Sequence, residues 1–214
     1  MKSTLSQRLR QLTVGWNARN VPASVTKPSF YLLPNFFQTA DILWSQFEKQ
    51  VLDSVEFNDG LTPLLYAFCE GTYQFLTASG ERIFSRDALD QVTNALRTWA
   101  KEELDASYVS TPQVRVYVDG CRRELLSDSI DTRWHYLLSL TRNGSKDASP
   151  IKLVAESVRA RQGDGAFSVN SVVSLQLQFN QVLVHDARSP YAIGPTKTAI
   201  NPLKGSVFLD GYLW

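Results

Sequence analysis

The chain has 214 residues and a mass of 24.1 kDa, which suits one sizeable domain better than two. Its hydrophobic content of 43% and charged content of 20% exclude disordered, collagen-like and coiled-coil classes. A net charge of +1 gives no general case for nucleic acid or an acidic surface as partner. Cys69 and Cys121 are the only cysteines, too few for a disulfide framework and without metal-ligand spacing. His135 and His185 are the only histidines, so a two-histidine metal site would need both.

Residues 1–28 read as a basic N-terminal extension. Leu5, Leu9, Leu12 and Trp16 recur at helical spacing, with Arg8 and Arg10 between them and no acid before Asp41. The expectation is a helix whose apolar stripe docks on the domain. An Arg-rich, Ser-containing, acid-poor start also describes an organelle presequence. No apolar run reaches the ~18 residues of a membrane span, and the expected compartment is the cytoplasm. Residues 29–214 read as a single domain with a helical part (29–111) and a strand-rich part (112–214).

In the helical part, Thr39 is a cap for a helix from Ala40 with Leu43, Trp44, Phe47 and Val51 on one face. Ser85 caps a second helix, in which Leu89, Val92, Leu96, Trp99 and Leu104 form the buried stripe. Asn58-Asp59-Gly60 and Ser79-Gly80 mark turns around the apolar stretch from Leu64 to Phe75. From Pro112 the period changes to two. Val114, Val116 and Val118 alternate with Arg115 and Tyr117, as in a half-buried strand. Further strands are expected at Trp134–Leu140, Ile151–Val158, Val173–Phe179, Val182–Val184 and Val207–Leu209. Helices followed by many short strands indicate an α+β domain with a sandwich or jelly roll in its second half.

No glycine-rich phosphate loop, G-x-S-x-G elbow or H-E-x-x-H helix occurs. The last part of the chain is more specific. It reads F-N-Q-V-L-V-H-D-A-R-S-P-Y-A-I and then N-P-L-K-G-S-V-F-L-D-G-Y-L-W. This resembles the C-terminal signature of a branch of the 2-oxoglutarate/Fe(II)-dependent dioxygenase superfamily, F-N-Q-L-x-V-F-D-x-R-x-P-H-x-V followed by D-P-x-x-G-R-L-x-x-H-G-W-F. Upstream, V-R-V-Y-V-D-G and D-T-R-W-H-Y-L-L-S-L-T are similar to the same branch. The resemblance spans roughly Pro112 to Trp214. It implies N-terminal helices packed on a double-stranded β-helix, a jelly-roll or cupin-like core.

The chemistry of that family uses two histidines and one carboxylate on Fe(II), with an arginine for the distal carboxylate of 2-oxoglutarate. The resemblance places Leu126 in the slot of the first histidine, Asp128 in that of the carboxylate, Tyr191 in that of the second histidine and Ser206 in that of the arginine. Asp186 and Arg188 keep the D-x-R part. Another register, with His135 and His185 as ligands, has Leu137 where a carboxylate is needed and breaks the signature; in the preferred one both histidines pack or hydrogen-bond. Tyr117, Asp128, Tyr191 and Ser206 are then expected to line the former active-site cleft, with Asp128 and Tyr191 as the only acid–base candidates. Cys121 beside Arg122 and Arg123 could be an activated thiol, although the arginines read as a solvated turn.

The resulting expectation is a degenerate member of the family with no metal ligands and no cofactor, a non-iron pseudo-oxygenase acting as a binding or partner subunit. Its partner would be an active homologous oxygenase or another protein, or a small molecule in the cleft, with neither nucleic acid nor membrane. The alternative is an enzyme of the same superfamily. It would be a metal-free catalyst of the isomerase or cyclase kind, or an oxygenase with an altered metal site that uses Fe(II) and 2-oxoglutarate.

Overall fold

A computed structural model describes residues 29–56, 66–70, 73–126, 134–142, 149–160, 166–195 and 201–214. The basic extension, the Asn58-Asp59-Gly60 turn and Asp128 lie outside these residues. Helix α1 (Ala40–Glu56) begins where the sequence places it, and Leu43, Trp44, Phe47 and Val51 are all buried. The Thr39 hydroxyl donates to the Gln91 side chain at 3.1 Å. A one-turn helix, α2 (Gly80–Ile83), follows. Helix α3 (Arg86–Glu103) is capped by Ser85, whose side chain accepts from the Ala88 amide at 3.3 Å. Asp87 stands in its first turn and Lys101 in its last, each on the side that the helix dipole favours. The stripe Leu89, Val92, Leu96 and Trp99 is buried along its length.

Among the described residues, eleven strands form one curled antiparallel sheet. In chain order they are β1 (Phe30–Leu33), β2 (Tyr66–Glu70), β3 (Tyr73–Ser79), β4 (Gln113–Tyr117), β5 (Arg122–Leu126), β6 (Trp134–Ser139), β7 (Ile151–Ala160), β8 (Ala166–Leu175), β9 (Val182–Asp186), β10 (Tyr191–Ile193) and β11 (Ser206–Leu213). The spatial order is β1-β9-β6-β11-β4-β3-β5-β10-β7-β8, with β2 on β3. Neighbours far apart in sequence make this the connectivity of a jelly roll, closed into a half-barrel, rather than of a meander.

Three of these strands fall in the stretch read as helical. The apolar run from Leu64 to Phe75 contains the β2–β3 hairpin start, and Ser79-Gly80 is the end of β3 and the first residue of α2 rather than an isolated turn. Short apolar runs do not distinguish strand from helix by periodicity alone. The strand expected at Val173–Phe179 begins earlier and ends at Leu175.

Strand parity divides the sheet into two faces. On one face lie Tyr31, Val184, Tyr136, Leu138, Val207, Leu209, Val114 and Val116, joined in register across five strands. Tyr31 meets Trp99 of α3 edge-on at 5.3 Å and Trp134 at 5.8 Å. The other face carries Arg115, Tyr117, His135, His185, Asp210 and Tyr212. Its concave side is reached from the opposite half of the sheet by Tyr191 of β10. β4 is therefore covered on both faces, not half-buried as its alternation suggests: Val114, Val116 and Tyr117 are inaccessible, and the Arg115 side chain is only 16% exposed.

The signature residues fix the turns that feed this interior. Asn180 adopts the left-handed conformation (φ 59) between β8 and β9. Its side chain accepts from the Phe37 amide at 2.9 Å and donates to the Phe37 carbonyl at 2.6 Å. Asp186 accepts from the Arg188 amide and from both ends of the Arg188 guanidinium at 2.6–2.9 Å. That tight turn delivers Pro190 and Tyr191 into β10. Asn201 caps a 3-10 turn with Pro202 at its start, and the turn delivers Gly205 into β11. A Cβ on Gly205 would stand 2.7 Å from the Tyr117 carbonyl, so only glycine lets β11 approach β4 here.

Candidate functional site

The concave face brings together most of the buried polar side chains among the described residues. At its centre is a chain of contacts across four strands. Arg115 Nε donates to Asp210 Oδ2 at 2.8 Å. The same oxygen lies 3.3 Å from His135 Nε2. His135 Nδ1 lies 3.0 Å from His185 Nε2, and His185 Nδ1 lies 2.9 Å from the Asp186 carbonyl. Both histidines are fully buried, and Asp210 is 1% exposed. Strand pairing accounts for this arrangement: His135 is directly opposite His185 on β9 and Tyr212 on β11.

Burial disfavours the Asp210 carboxylate and pushes its pKa up to about 6, despite the opposing pull of Arg115 and then Arg123. Burial works most strongly against the Arg115 charge, but Asp210 together with Tyr191, Tyr117 and Tyr212 outweighs it and holds the guanidinium above its ordinary range. Burial raises the Tyr117 and Tyr136 hydroxyls well above the usual phenol value.

Tyr191 closes the cluster from β10. Its ring is inaccessible, 5.1 Å from the His135 ring and 4.9 Å from the His185 ring. The Arg123 guanidinium lies over that ring at 3.8 Å, a cation–π distance. Tyr191 is also register-paired with Leu126 of β5, so the two positions that the resemblance assigns to histidines are neighbours in the sheet. Ser206 and Tyr117 face each other across β11 and β4. The Ser206 hydroxyl accepts from the Ser149 amide at 2.8 Å, which ties it to the backbone. Tyr117, Tyr191 and Ser206 are thus all interior, while Asp128 lies outside the described residues. The sequence reading passed over Arg115, Arg123 and Asp210. Asp210 alone carried a signal, as the one charged residue of a mostly apolar strand; Arg115 and Arg123 read as outward positions of their strands.

Two readings of the β5 region are corrected. Arg122 and Arg123 are strand residues, and Arg123 is buried at 3% exposure, not part of a solvated turn. Cys121 is also buried, and burial raises its thiol pKa despite a hydrogen bond with Val118. It is not an activated nucleophile. Among the described residues, no group of three or more His, Cys, Asp or Glu side chains is arranged to hold a metal ion. No helix among them is long and apolar enough to cross a membrane.

No protein-family model matches the chain, and no curated protein matches it. Solved structures do match. The α-ketoglutarate-dependent epimerase SnoN of nogalamycin biosynthesis superposes with a TM-score of 0.60 at 10% identity, covering 86% of this chain and 78% of that one. A Pseudomonas putida prolyl-4-hydroxylase gives a TM-score of 0.59 at 13% identity, covering 87% and 92%. The carbocyclase SnoK of the same nogalamycin pathway gives 0.60 at 11%, covering 87% and 80%. The fold is that of the 2-oxoglutarate/Fe(II) oxygenases. At such identities the likeness establishes the oxygenase fold, and the chemistry has to be argued from the residues.

Proposed function

We propose that this protein is an oxygenase-fold binding subunit that has lost the iron centre. The observation that carries the reading is the pairing of Tyr191 and Arg123. The residue in the second-histidine slot is a phenol packed against two imidazoles, and a buried guanidinium covers its ring at 3.8 Å. A divalent cation there would face Arg123 and Arg115 in a low-dielectric interior, where like charges repel strongly. Fe(II) lies near the weak end of the divalent affinity series and tolerates a poor donor set badly. A phenolate ligand would in addition require deprotonation from a reference pKa of about 10.

The remaining slots support the same reading. Leu126 offers no donor. Ser206 stands where the family signature has the co-substrate arginine, and its hydroxyl is engaged by the Ser149 amide. These residues do not fit Fe(II) with 2-oxoglutarate, and no reaction step is assigned to either. The retained Asn180, Asp186 and Arg188 all make scaffold contacts, which accounts for a signature that survives without its metal ligands. The role left to the fold is recognition, of a protein partner such as an active homologous oxygenase or of a small molecule in the cleft.

Thermal unfolding with Fe(II), Mn(II) and 2-oxoglutarate, singly and together, tests this reading. No shift in Tm is expected. A cooperative shift that requires both metal and 2-oxoglutarate would overturn it.

A further inference from the structure

A groove of about 410 Å³ lies away from the buried ionic cluster, between α3 and the residues that follow β1. Leu33, Pro34 and Phe36 line it from one side and Ala95 and Trp99 of α3 from the other; Glu102 is its charged lining residue. Leu33 and Trp99 are already buried by the body of the domain. Pro34 is exposed, and Phe36 and Ala95 are half-buried, so the groove presents apolar surface that the described residues leave uncovered. β1 is a terminal strand in the order of the sheet, which puts the groove at an open edge. α3 also ends here. Glu102 and Glu103 are exposed at its C-terminus, where the negative end of the helix dipole adds to their charge. Arg97 and Lys101 are exposed on the same helix without lining the groove.

We propose that this groove is the docking site of the chain's own N-terminal segment, with the stripe Leu5, Leu9, Leu12 and Trp16 set into it and the cations of the segment facing Glu102 and Glu103. The inference does not depend on the loss of the iron centre.

Pattern, charge and reach all match. Leu5, Leu9, Leu12 and Trp16 fall at i, i+4, i+7 and i+11, the anchor spacing by which an amphipathic helix enters an apolar groove. The groove is too small for the body of a helix about 10 Å across and has room for a few anchoring side chains. The segment carries Lys2, Arg8, Arg10, Arg19 and Lys27, with no acid before Asp41. Arg8 is three residues from Leu5 and four from Leu12, so it borders the stripe, as Glu102 borders the apolar lining.

The tether reaches with slack. The Ser29 carbonyl is fixed by the Asp186 amide at 3.3 Å. The groove begins at Leu33, about 13 Å further along β1 at ~3.3 Å per residue. The chain from Trp16 to Ser29 can span about 40 Å when extended. A tether of this length also decides between occupants. It supplies an effective concentration of about millimolar order, so the segment of the same chain outcompetes a second copy of equal affinity at micromolar concentration.

The chain has five tryptophans, and the full chain labelled with 5-fluorotryptophan gives a 19F spectrum simple enough to follow Trp16. Its resonance is the one missing from Trp16→Phe. Leu9→Asp combined with Leu12→Asp supplies the undocked position. The wild-type Trp16 resonance is expected to be displaced from that position. Thr98→Lys and Glu102→Lys, two exposed substitutions in the groove lining, are each expected to move it toward the undocked position, while Glu81→Lys on α2 leaves it in place. Coincident Trp16 resonances in the wild type and the Leu9→Asp/Leu12→Asp chain would overturn the proposal. So would a displaced resonance that neither groove substitution moves, because the segment would then dock elsewhere. A displacement that fades on dilution would overturn it as well, by assigning the groove to the segment of a second copy.

Discussion

Asp210 is the residue on which most of the interior depends. It compensates Arg115 and lies 3.3 Å from His135 Nε2 while itself inaccessible. Asp210→Ala would leave a buried guanidinium uncompensated, a change that costs about 3–5 kcal/mol in comparable sites. Urea denaturation followed by tryptophan fluorescence should show a midpoint loss of that size, whereas a loss under 1 kcal/mol would mean that water already solvates Arg115. The pH dependence has the same origin. The folded-state pKa of Asp210 is raised to about 6 by burial. The folded form therefore holds a proton that the unfolded chain releases near pH 4, and rising pH costs stability between about 4 and 6. Tm is expected to fall from pH 5 to pH 6, and a Tm that rises across that interval would contradict the assignment.

At the scale of elements, β11 and α3 do the most to position the site. A Cβ on Gly211 would come within 2.6 Å of Ser110 Oγ and 2.7 Å of the Tyr136 hydroxyl, and Tyr136 is fully buried with no room to turn aside. Gly211→Ala should therefore cost about 1–3 kcal/mol, as overpacking does in a dense core, measured as a fall in Tm. Leu96 on α3 is inaccessible, and Leu96→Ala should cost about 2–5 kcal/mol by chemical denaturation. Ser85→Ala should cost about 1 kcal/mol through loss of the cap. These elements also show what the sequence could disclose. The stripe of α3 and its serine cap were legible because 3.6-residue periodicity and capping chemistry are local. β4, β7 and β9 were legible from alternation or β-branched content, and β6 from its aromatic and apolar run. β1 and β10 were not, because each is short and owes its state to pairing with distant strands; β2 and β3 were not, because a short apolar run does not separate strand from helix. β5 was not, because a run of charged residues beside Cys121 resembles a solvated loop until the sheet closes over Arg123.

At the scale of the whole molecule, the half-barrel places an apolar face outward and an ionic cluster inward. Local patterns reveal such an inversion only in part: Asp210 stands out as the one charge in its strand, whereas Arg115 reads as an ordinary surface position until the sheet closes over it. The residues expected to line the cleft were partly legible by this route. The resemblance placed Tyr191 and Ser206 in the former active-site cleft, and both prove interior. The partners of Tyr191 come from β5, β6 and β9, which only the closed fold brings together. The fold alone is compatible with oxygenase chemistry, and the decision between enzyme and binding subunit rests on the donor set. The central claim is that the oxygenase fold persists here without its iron chemistry. Its most direct test is metal analysis of the purified chain reconstituted with Fe(II) under anaerobic conditions, followed by assay of 2-oxoglutarate conversion to succinate. Iron well below one equivalent per chain and no succinate above the metal-free control are predicted; one tightly held iron per chain with sustained succinate formation would contradict the account.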